Sequence, residues 1–135
     1  MTNEFSHRAL DLNKDKPLVF AAMSKHSFYF RAHISKYILE HAGVPLNPFM
    51  TFDYFLLDSV DRDLVREGNN NLLKRSDVLW VFGPIADGVL AEIKIAKEMD
   101  KEIRYFKIEK SKSIIEVKKD EVEMEDEVKA FIKEL

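Results

Sequence analysis

The stretch VLWVFGPIADGVLAEIKIA, residues 78–96, decides the fold class of this chain. Its first part, residues 78–83, is the most apolar run in the sequence, and a run without polar alternation predicts a strand buried on both faces. Gly83 and Pro84 end the run, and from Asp87 onward the apolar residues recur at helical spacing. Because a buried strand followed by a helix is the repeating unit of α/β proteins, this stretch predicts the centre of such a sheet.

The alternation of strands and helices continues on both sides of this unit. Strands are predicted at 18–23, 44–48, 103–108 and, at an edge, 114–117; helices are predicted at 28–42, from about 64 to 75, and at the C-terminus. This order predicts an α/β fold: a single-domain, doubly wound sheet of the Rossmann or flavodoxin type, with about five mostly parallel strands and helices on both faces. The domain is expected to span residues 17–135, after an N-terminal arm of residues 1–16.

Several local features are predicted as well. Gly43 follows the first helix, where a left-handed C-terminal glycine is expected, and Asp87 suits the N-cap of the helix after the central strand. Segment 49–63 is rich in aromatic residues without clear periodicity, which predicts a short helix or a lid. The last helix is expected to bury a stripe formed by Met124, Val128, Phe131 and Leu135.

The composition favours a small molecule or a protein as partner, not a nucleic acid polymer or a membrane. The formal net charge is -3, and acidic and basic residues are mixed along the chain. There is no cysteine, the four histidines lack zinc-site spacing, and no apolar run reaches the roughly 18 residues of a membrane span. Residues 1–16 lack the apolar core of a signal peptide. We therefore expect a cytoplasmic protein without a metal or another cofactor.

The doubly wound fold predicts where a ligand would bind. In such sheets ligands lie outside the carboxyl ends of the strands, at the point where the strand order reverses. That rule selects the loops 24–27, 47–52 and 83–88. The first of these contains Ser24, Lys25 and His26, whose hydroxyl and positive charge suit a phosphate, although a plain polar loop is the preferred interpretation.

Glu92 is the strongest candidate for chemistry. On a helical wheel Glu92 lies about 60° to one side of Val89, and Ile93 lies about 40° to the other side of Val89. Glu92 therefore borders the buried stripe of its helix. A carboxylate there can act as a nucleophile or an acid/base, and the nearby helix N-terminus is expected to keep it ionised. The alternative is a surface glutamate that the helix dipole favours.

Two other groups of residues combine unusual composition with a possible binding role. Residues 68–71, Gly-Asn-Asn-Asn, are poor helix formers, which indicates either a functional site or a kinked helix. Aromatic side chains near the second loop can stack a nucleobase or simply fill the core; they are Phe49, Phe52, Tyr54 and Phe55. Trp80, in the central strand, is assigned to packing.

Short motifs along the chain resemble those of one enzyme family. They are Asn70-Asn71-Leu72, Ser76-Asp77-Val78, Asp87-Gly88-Val89 and Glu92-Ile93, together with VFAAMS after Pro17 and the LNPF turn at 46–49. Over roughly residues 18–108 the chain is similar to the nucleoside 2-deoxyribosyltransferase family and its small uncharacterised relatives. The resemblance implies a nucleoside or nucleotide ligand and cleavage or transfer of its N-glycosidic bond.

The resemblance also implies roles for individual residues. Glu92 would attack the anomeric carbon, Asp87 would be the turn aspartate, and related enzymes form dimers or larger assemblies, for which segment 49–60 is the candidate interface. The substrate-binding residues would be Ser24, Lys25, His26, Asn47, Phe49, Asn71, Gly83 and Gly88. Asn71 stands where the family has an acid, and an amide cannot exchange a proton as an acid does. A non-catalytic nucleotide-binding, sensor or interaction domain is therefore the alternative.

Overall fold

The computed structural model describes residues 4–52, 54–110 and 113–135, except for the side chains of Tyr54, Phe55 and Leu57. Within this part of the chain, five strands form one sheet in the order β2-β1-β3-β4-β5. The strands are β1 (Leu18–Met23), β2 (Val44–Leu46), β3 (Val78–Phe82), β4 (Glu102–Glu109) and β5 (Ser113–Val117). The first four are parallel and β5 pairs antiparallel to β4, which confirms the predicted α/β fold and its edge strand.

In the part of the chain that the structure describes, the α-helices are α1 (Arg31–Glu40), α2 (Pro48–Thr51), α3 (Tyr54–Ser59), α4 (Arg62–Arg75) and α5 (Asp87–Glu98). Short 3-10 helices lie at Arg8–Asp11, Lys25–Phe30 and Asp126–Glu134. Segment 49–63, for which the sequence predicts a short helix or a lid, thus includes two short helices, α2 and α3. None of the described helices is long and apolar enough to cross a membrane.

The sheet buries side chains on both faces, as its apolar strands predict. Phe20 and Ala22 of β1 belong to a core that α4, α5 and the C-terminal segment cover. The alternate residues, Val19 and Ala21, belong to a second core under α1. Trp80 is buried in this second core, with the Arg104 guanidinium 4.7 Å from its ring, so its assignment to packing is confirmed.

Two of the predicted helix ends are wrong, and packing explains why. The first α-helix begins only at Arg31, and the residue with positive φ at its end is Ala42 (φ 65), not Gly43. A Cβ on Gly43 would lie 2.8 Å from side-chain carbons of both Ile38 and Val19. Gly43 is therefore required for the close approach of helix and strand, not for a left-handed turn.

The last helix also differs from its prediction. It is a 3-10 helix interrupted at Phe131, whose φ and ψ are −101° and 22°. The interruption turns Phe131 outward, so that it is 52% exposed, while Val128 and Leu135 are buried as expected. The second strand is shorter than predicted as well, because the chain bends into α2 after Leu46.

Candidate functional site

The candidate site is a cavity of about 670 Å³ at the carboxyl ends of β1 and β3. Its wall is formed by the end of β1 and the following loop, by α2 and Phe52, by α4 and α5, and by Glu125 and Glu127. These two strands are neighbours in the sheet, but their connections leave toward opposite sides, which is the position that the doubly wound fold predicts for a ligand.

Glu92 lies in the wall of this cavity and receives a hydrogen bond from another helix. The Nδ2 amide of Asn69, on α4, donates to Glu92 Oε2 across 2.7 Å. The Glu92 side chain is half-buried: it keeps accessible surface toward the cavity but is closely surrounded by protein elsewhere. This confirms that Glu92 borders the buried stripe of α5, between solvent and core.

Burial of Glu92 opposes the ionisation that the helix N-terminus is expected to favour. Desolvation by burial raises the pKa of Glu92 to about 7, although the hydrogen bond from Asn69 opposes this rise. Near pH 7, about half of the molecules therefore carry a protonated Glu92. A carboxyl group with this pKa in a cavity can give or take a proton, and in its ionised form it can act as a nucleophile.

The partner of Glu92 is Asn69 and not Asn71. Asn71 is exposed; its amide donates to the Glu67 carbonyl, and its Oδ1 accepts from Arg75. The segment 68–71, whose composition is unusual for a helix, therefore does lie at the cavity. The residue of this segment that contacts Glu92 is Asn69, two positions before Asn71.

Gly68 allows an aromatic ring to pack on α4. A Cβ at this position would lie 3.0 Å from the Cζ atom of Phe52, so a larger residue would displace the ring. Phe52 and Phe49 both line the cavity, and Phe49 packs edge-on against Phe28 with ring centroids 5.8 Å apart. The side chains of Tyr54 and Phe55 lie outside the described residues. The two described rings offer an apolar surface on which a flat ligand can stack.

Asp87 and Gly88 lie at the start of α5, at the cavity. The N-cap is Ala86 and not Asp87, because Asp87 is already the first helical residue; its Oδ1 accepts from the Gly88 backbone N–H across 2.7 Å. The predicted capping role of Asp87 is therefore wrong, but its carboxylate does lie at the cavity. A Cβ on Gly88 would meet nothing within 4 Å.

Asn47 has a structural position in this arrangement. Its buried amide donates to the Arg31 carbonyl and to Ser35 Oγ, and its Oδ1 accepts from the Phe49 backbone N–H. It thus caps α2 and ties this helix to α1. The cavity wall itself is formed by the next two residues, Pro48 and Phe49.

The loop after β1 contacts an acidic residue, Glu125, that the sequence did not predict as its partner. Ser24 is 2% exposed, and its hydroxyl donates to Glu125 Oε2 across 2.6 Å. The Nδ1 atom of His26 lies 3.2 Å from the same oxygen. Lys25 is exposed at the cavity rim. The groups that suggested a phosphate site thus surround a carboxylate of the chain itself.

Backbone contacts fix the position of Glu125. Its N–H donates to the Ile85 carbonyl across 2.8 Å, and the Ile85 N–H donates to the Glu123 carbonyl across 2.8 Å. Gly83 makes room for this segment, because a Cβ there would lie 2.9 Å from Val122 Cγ2 and 3.3 Å from the Glu123 carbonyl oxygen. Gly83 therefore allows residues 122–125 to pack closely beside the end of β3, which holds Glu125 at the cavity.

In the part of the chain that the structure describes, no group of three or more histidine, aspartate or glutamate side chains is placed to hold a metal ion. The fold and the cavity define an α/β protein with a half-buried carboxyl group in a cavity at the carboxyl ends of its central strands. The chain belongs to the family described as Domain of unknown function (DUF7768), which matches residues 20–106, from β1 to β4. A comparison with curated proteins finds no match.

Proposed function

We propose that this protein binds a nucleoside or nucleotide in the cavity and cleaves or transfers its N-glycosidic bond through Glu92. The observation that carries the proposal is the Glu92 carboxyl group, held by Asn69 at 2.7 Å in a cavity beside the aromatic rings of Phe49 and Phe52. A base stacked on those rings would place its sugar toward the polar side of the cavity. The resemblance to nucleoside 2-deoxyribosyltransferases supports the same ligand class.

The proposed reaction has two steps. The ionised Glu92 carboxylate attacks the anomeric carbon, so a C–O bond forms while the C–N bond breaks, and the base leaves with the bonding electrons and takes up a proton. Water or a second base then attacks the same carbon and releases Glu92. The Asn69 amide supports the first step because it stabilises the ionised carboxylate and orients the oxygen that accepts its hydrogen bond.

Asp87 is the proposed second polar group of the reaction. It is exposed at the cavity, one and a half helical turns before Glu92 on the same helix. From there it can bind a sugar hydroxyl or assist the proton transfer to the leaving base.

A second candidate function is a nucleotide-binding or sensor domain without catalysis. The observation that favours it is the amide of Asn69 beside Glu92, in place of a second acid that could protonate the leaving base. A binder of this kind would use Glu92 and Asn69 only to recognise the ligand.

The two functions are separated by a panel of 2′-deoxynucleosides and their 5′-monophosphates. The enzyme should release free base, detected by chromatography, and ligand binding should raise the unfolding temperature. A thermal shift without free base would indicate a binder. The absence of both effects across the panel would contradict the proposed ligand class.

We further propose that the protein acts in the cytoplasm as a dimer or larger assembly. In support, apolar residues on α2, α3 and the start of α4 are exposed, among them Met50 (57%) and Leu64 (61%). Oligomers of identical chains commonly bury such surfaces, and the interface would lie next to the cavity.

A further inference from the structure

The contact between Ser24 and Glu125 bears on which ligands the cavity accepts. Ser24 is almost fully buried, and its hydroxyl donates the 2.6 Å bond to Glu125, a short, charge-assisted hydrogen bond. The carboxylate therefore occupies the place where an acidic ligand group would meet the Ser24 hydroxyl. Both residues line the cavity, so this place belongs to the site and not to a remote surface.

The three polar groups do not form a proton relay. In a relay, the histidine would use one ring nitrogen for the serine and the other for the carboxylate. Here the same atom, His26 Nδ1, lies 3.3 Å from Ser24 Oγ and 3.2 Å from Glu125 Oε2. Ser24 also donates directly to the carboxylate, which holds the proton away from the imidazole. The cluster is thus suited to binding and not to nucleophilic catalysis by Ser24.

We propose that Glu125 determines ligand specificity by excluding phosphate from the loop after β1, so that the cavity prefers a nucleoside with a free hydroxyl over the corresponding nucleotide. The preference for a nucleoside rests on the proposed function, whereas the exclusion of phosphate does not. A phosphate at Ser24 and His26 would lie within a few ångströms of the Glu125 carboxylate, and like charges at that distance repel strongly. A sugar hydroxyl could instead donate to the same carboxylate.

Two further observations support a fixed, charged Glu125. The hydrogen bond from Ser24 is the main cause that holds the pKa of Glu125 below its usual value, with a contribution from His26, so the carboxylate is ionised at neutral pH. The backbone bonds between residues 123–125 and Ile85 prevent the segment from simply moving aside.

The test is a calorimetric titration of the full chain with inorganic phosphate at constant ionic strength. We expect no saturable binding to the parent protein in the millimolar range. The Glu125→Gln variant, which keeps the shape and an oxygen for Ser24, should bind phosphate saturably in that range, a gain of at least about tenfold over the parent's limit of detection. Glu127→Gln is the matched control, because it removes the same charge from the same cavity without a described contact to Ser24. Like the parent, it should show no saturable binding in that range.

Three results would overturn the proposal. One is saturable phosphate binding by the parent protein, which needs no variant and so decides even if Glu125→Gln fails to fold. The others are a folded Glu125→Gln variant, verified by circular dichroism, that gains no affinity, and a Glu127→Gln variant that gains as much. If no nucleoside binds to the parent, the proposed function fails, but the phosphate titrations still test the role of Glu125.

Discussion

Asn69 and Glu92 are joined by a 2.7 Å hydrogen bond from the amide of one helix to the carboxyl group of the next. The bond lies in the cavity wall, where burial raises the pKa of Glu92 to about 7 and the amide limits that rise. The two opposing effects leave Glu92 close to its midpoint at neutral pH. This contact therefore links the protonation state of Glu92 to the contact between α4 and α5.

The raised pKa predicts that stability depends on pH through Glu92. In the unfolded chain Glu92 loses its proton near its ordinary pKa of 4.5, whereas in the folded chain it keeps the proton up to about 7. Stability should therefore fall as the pH rises through this window and then level off. The Glu92→Gln variant should lack this loss, and by pH 8 it should be more stable than the parent by about 1 to 3 kcal/mol.

Urea unfolding from about pH 5 to pH 8 measures this difference. Glu98→Gln is the control, because Glu98 is exposed on the same helix. A Glu92→Gln variant whose stability follows that of the parent at every pH would show that the folded and unfolded pKa values of Glu92 are alike.

The amide of Asn69 should itself tune Glu92. Its hydrogen bond lowers the pKa of Glu92, so this pKa should be higher in the Asn69→Ala variant than in the parent. Asn69→Asp should raise the pKa further, because two carboxyl groups would then share one site. Carbon-detected NMR of labelled glutamate side chains measures the shift. Asn71→Ala is the control, since Asn71 points away from the cavity, and an equal shift in that variant would contradict the assignment.

Gly83 and Gly88 should respond differently to alanine. Gly83→Ala should destabilise the fold by about 1 to 3 kcal/mol, because its Cβ would press on Val122 and on the backbone of Glu123. Gly88→Ala should leave stability unchanged or raise it by up to about 1 kcal/mol, since the Cβ meets open space in a helix. Thermal unfolding compares the two variants. A loss of ligand affinity in the stable Gly88→Ala variant would indicate that a ligand approaches this backbone.

The exposed apolar surface predicts self-association. Replacement of Met50 and Leu64 by glutamate should shift the protein toward the monomer without unfolding it, because both side chains are largely exposed. Light scattering at tens of micromolar measures the mass. A parent protein that is already monomeric under these conditions would contradict the proposed assembly.

The sheet could be predicted from the sequence because its strands are long apolar runs, and such runs have few other stable placements. The phase of α4 was harder to predict. Asn69 and Asn71 are separated by about 200° around a helix, so only one of them can face the cavity, and the resemblance pointed to Asn71. The burial of Leu73 and the packing of Phe52 on Gly68 place Asn69 on the cavity side, and the second of these contacts joins separate segments.

Glu125 could not be predicted for a similar reason. It lies in a polar, acidic stretch, 121–127, and its partner Ser24 is 101 positions earlier in the chain. The backbone pairing with Ile85 and the packing of Val122 and Val128 in the core bring the two together. The pKa of Glu92 likewise depends on desolvation by neighbouring elements, whereas the helix dipole, which is visible in the sequence, has the opposite effect.

The central claim is that Glu92 performs the chemistry, and release of free base by the parent and by Glu92→Gln tests it most directly. With a 2′-deoxynucleoside that binds, release by the parent should rise with pH around a midpoint near 7, as the carboxylate ionises. Glu92→Gln should lose at least about 100-fold in rate at every pH while its Kd changes by no more than a few-fold. Base release by Glu92→Gln at close to the parent rate would contradict the claim, as would a parent protein that binds the nucleoside and releases no base at any pH.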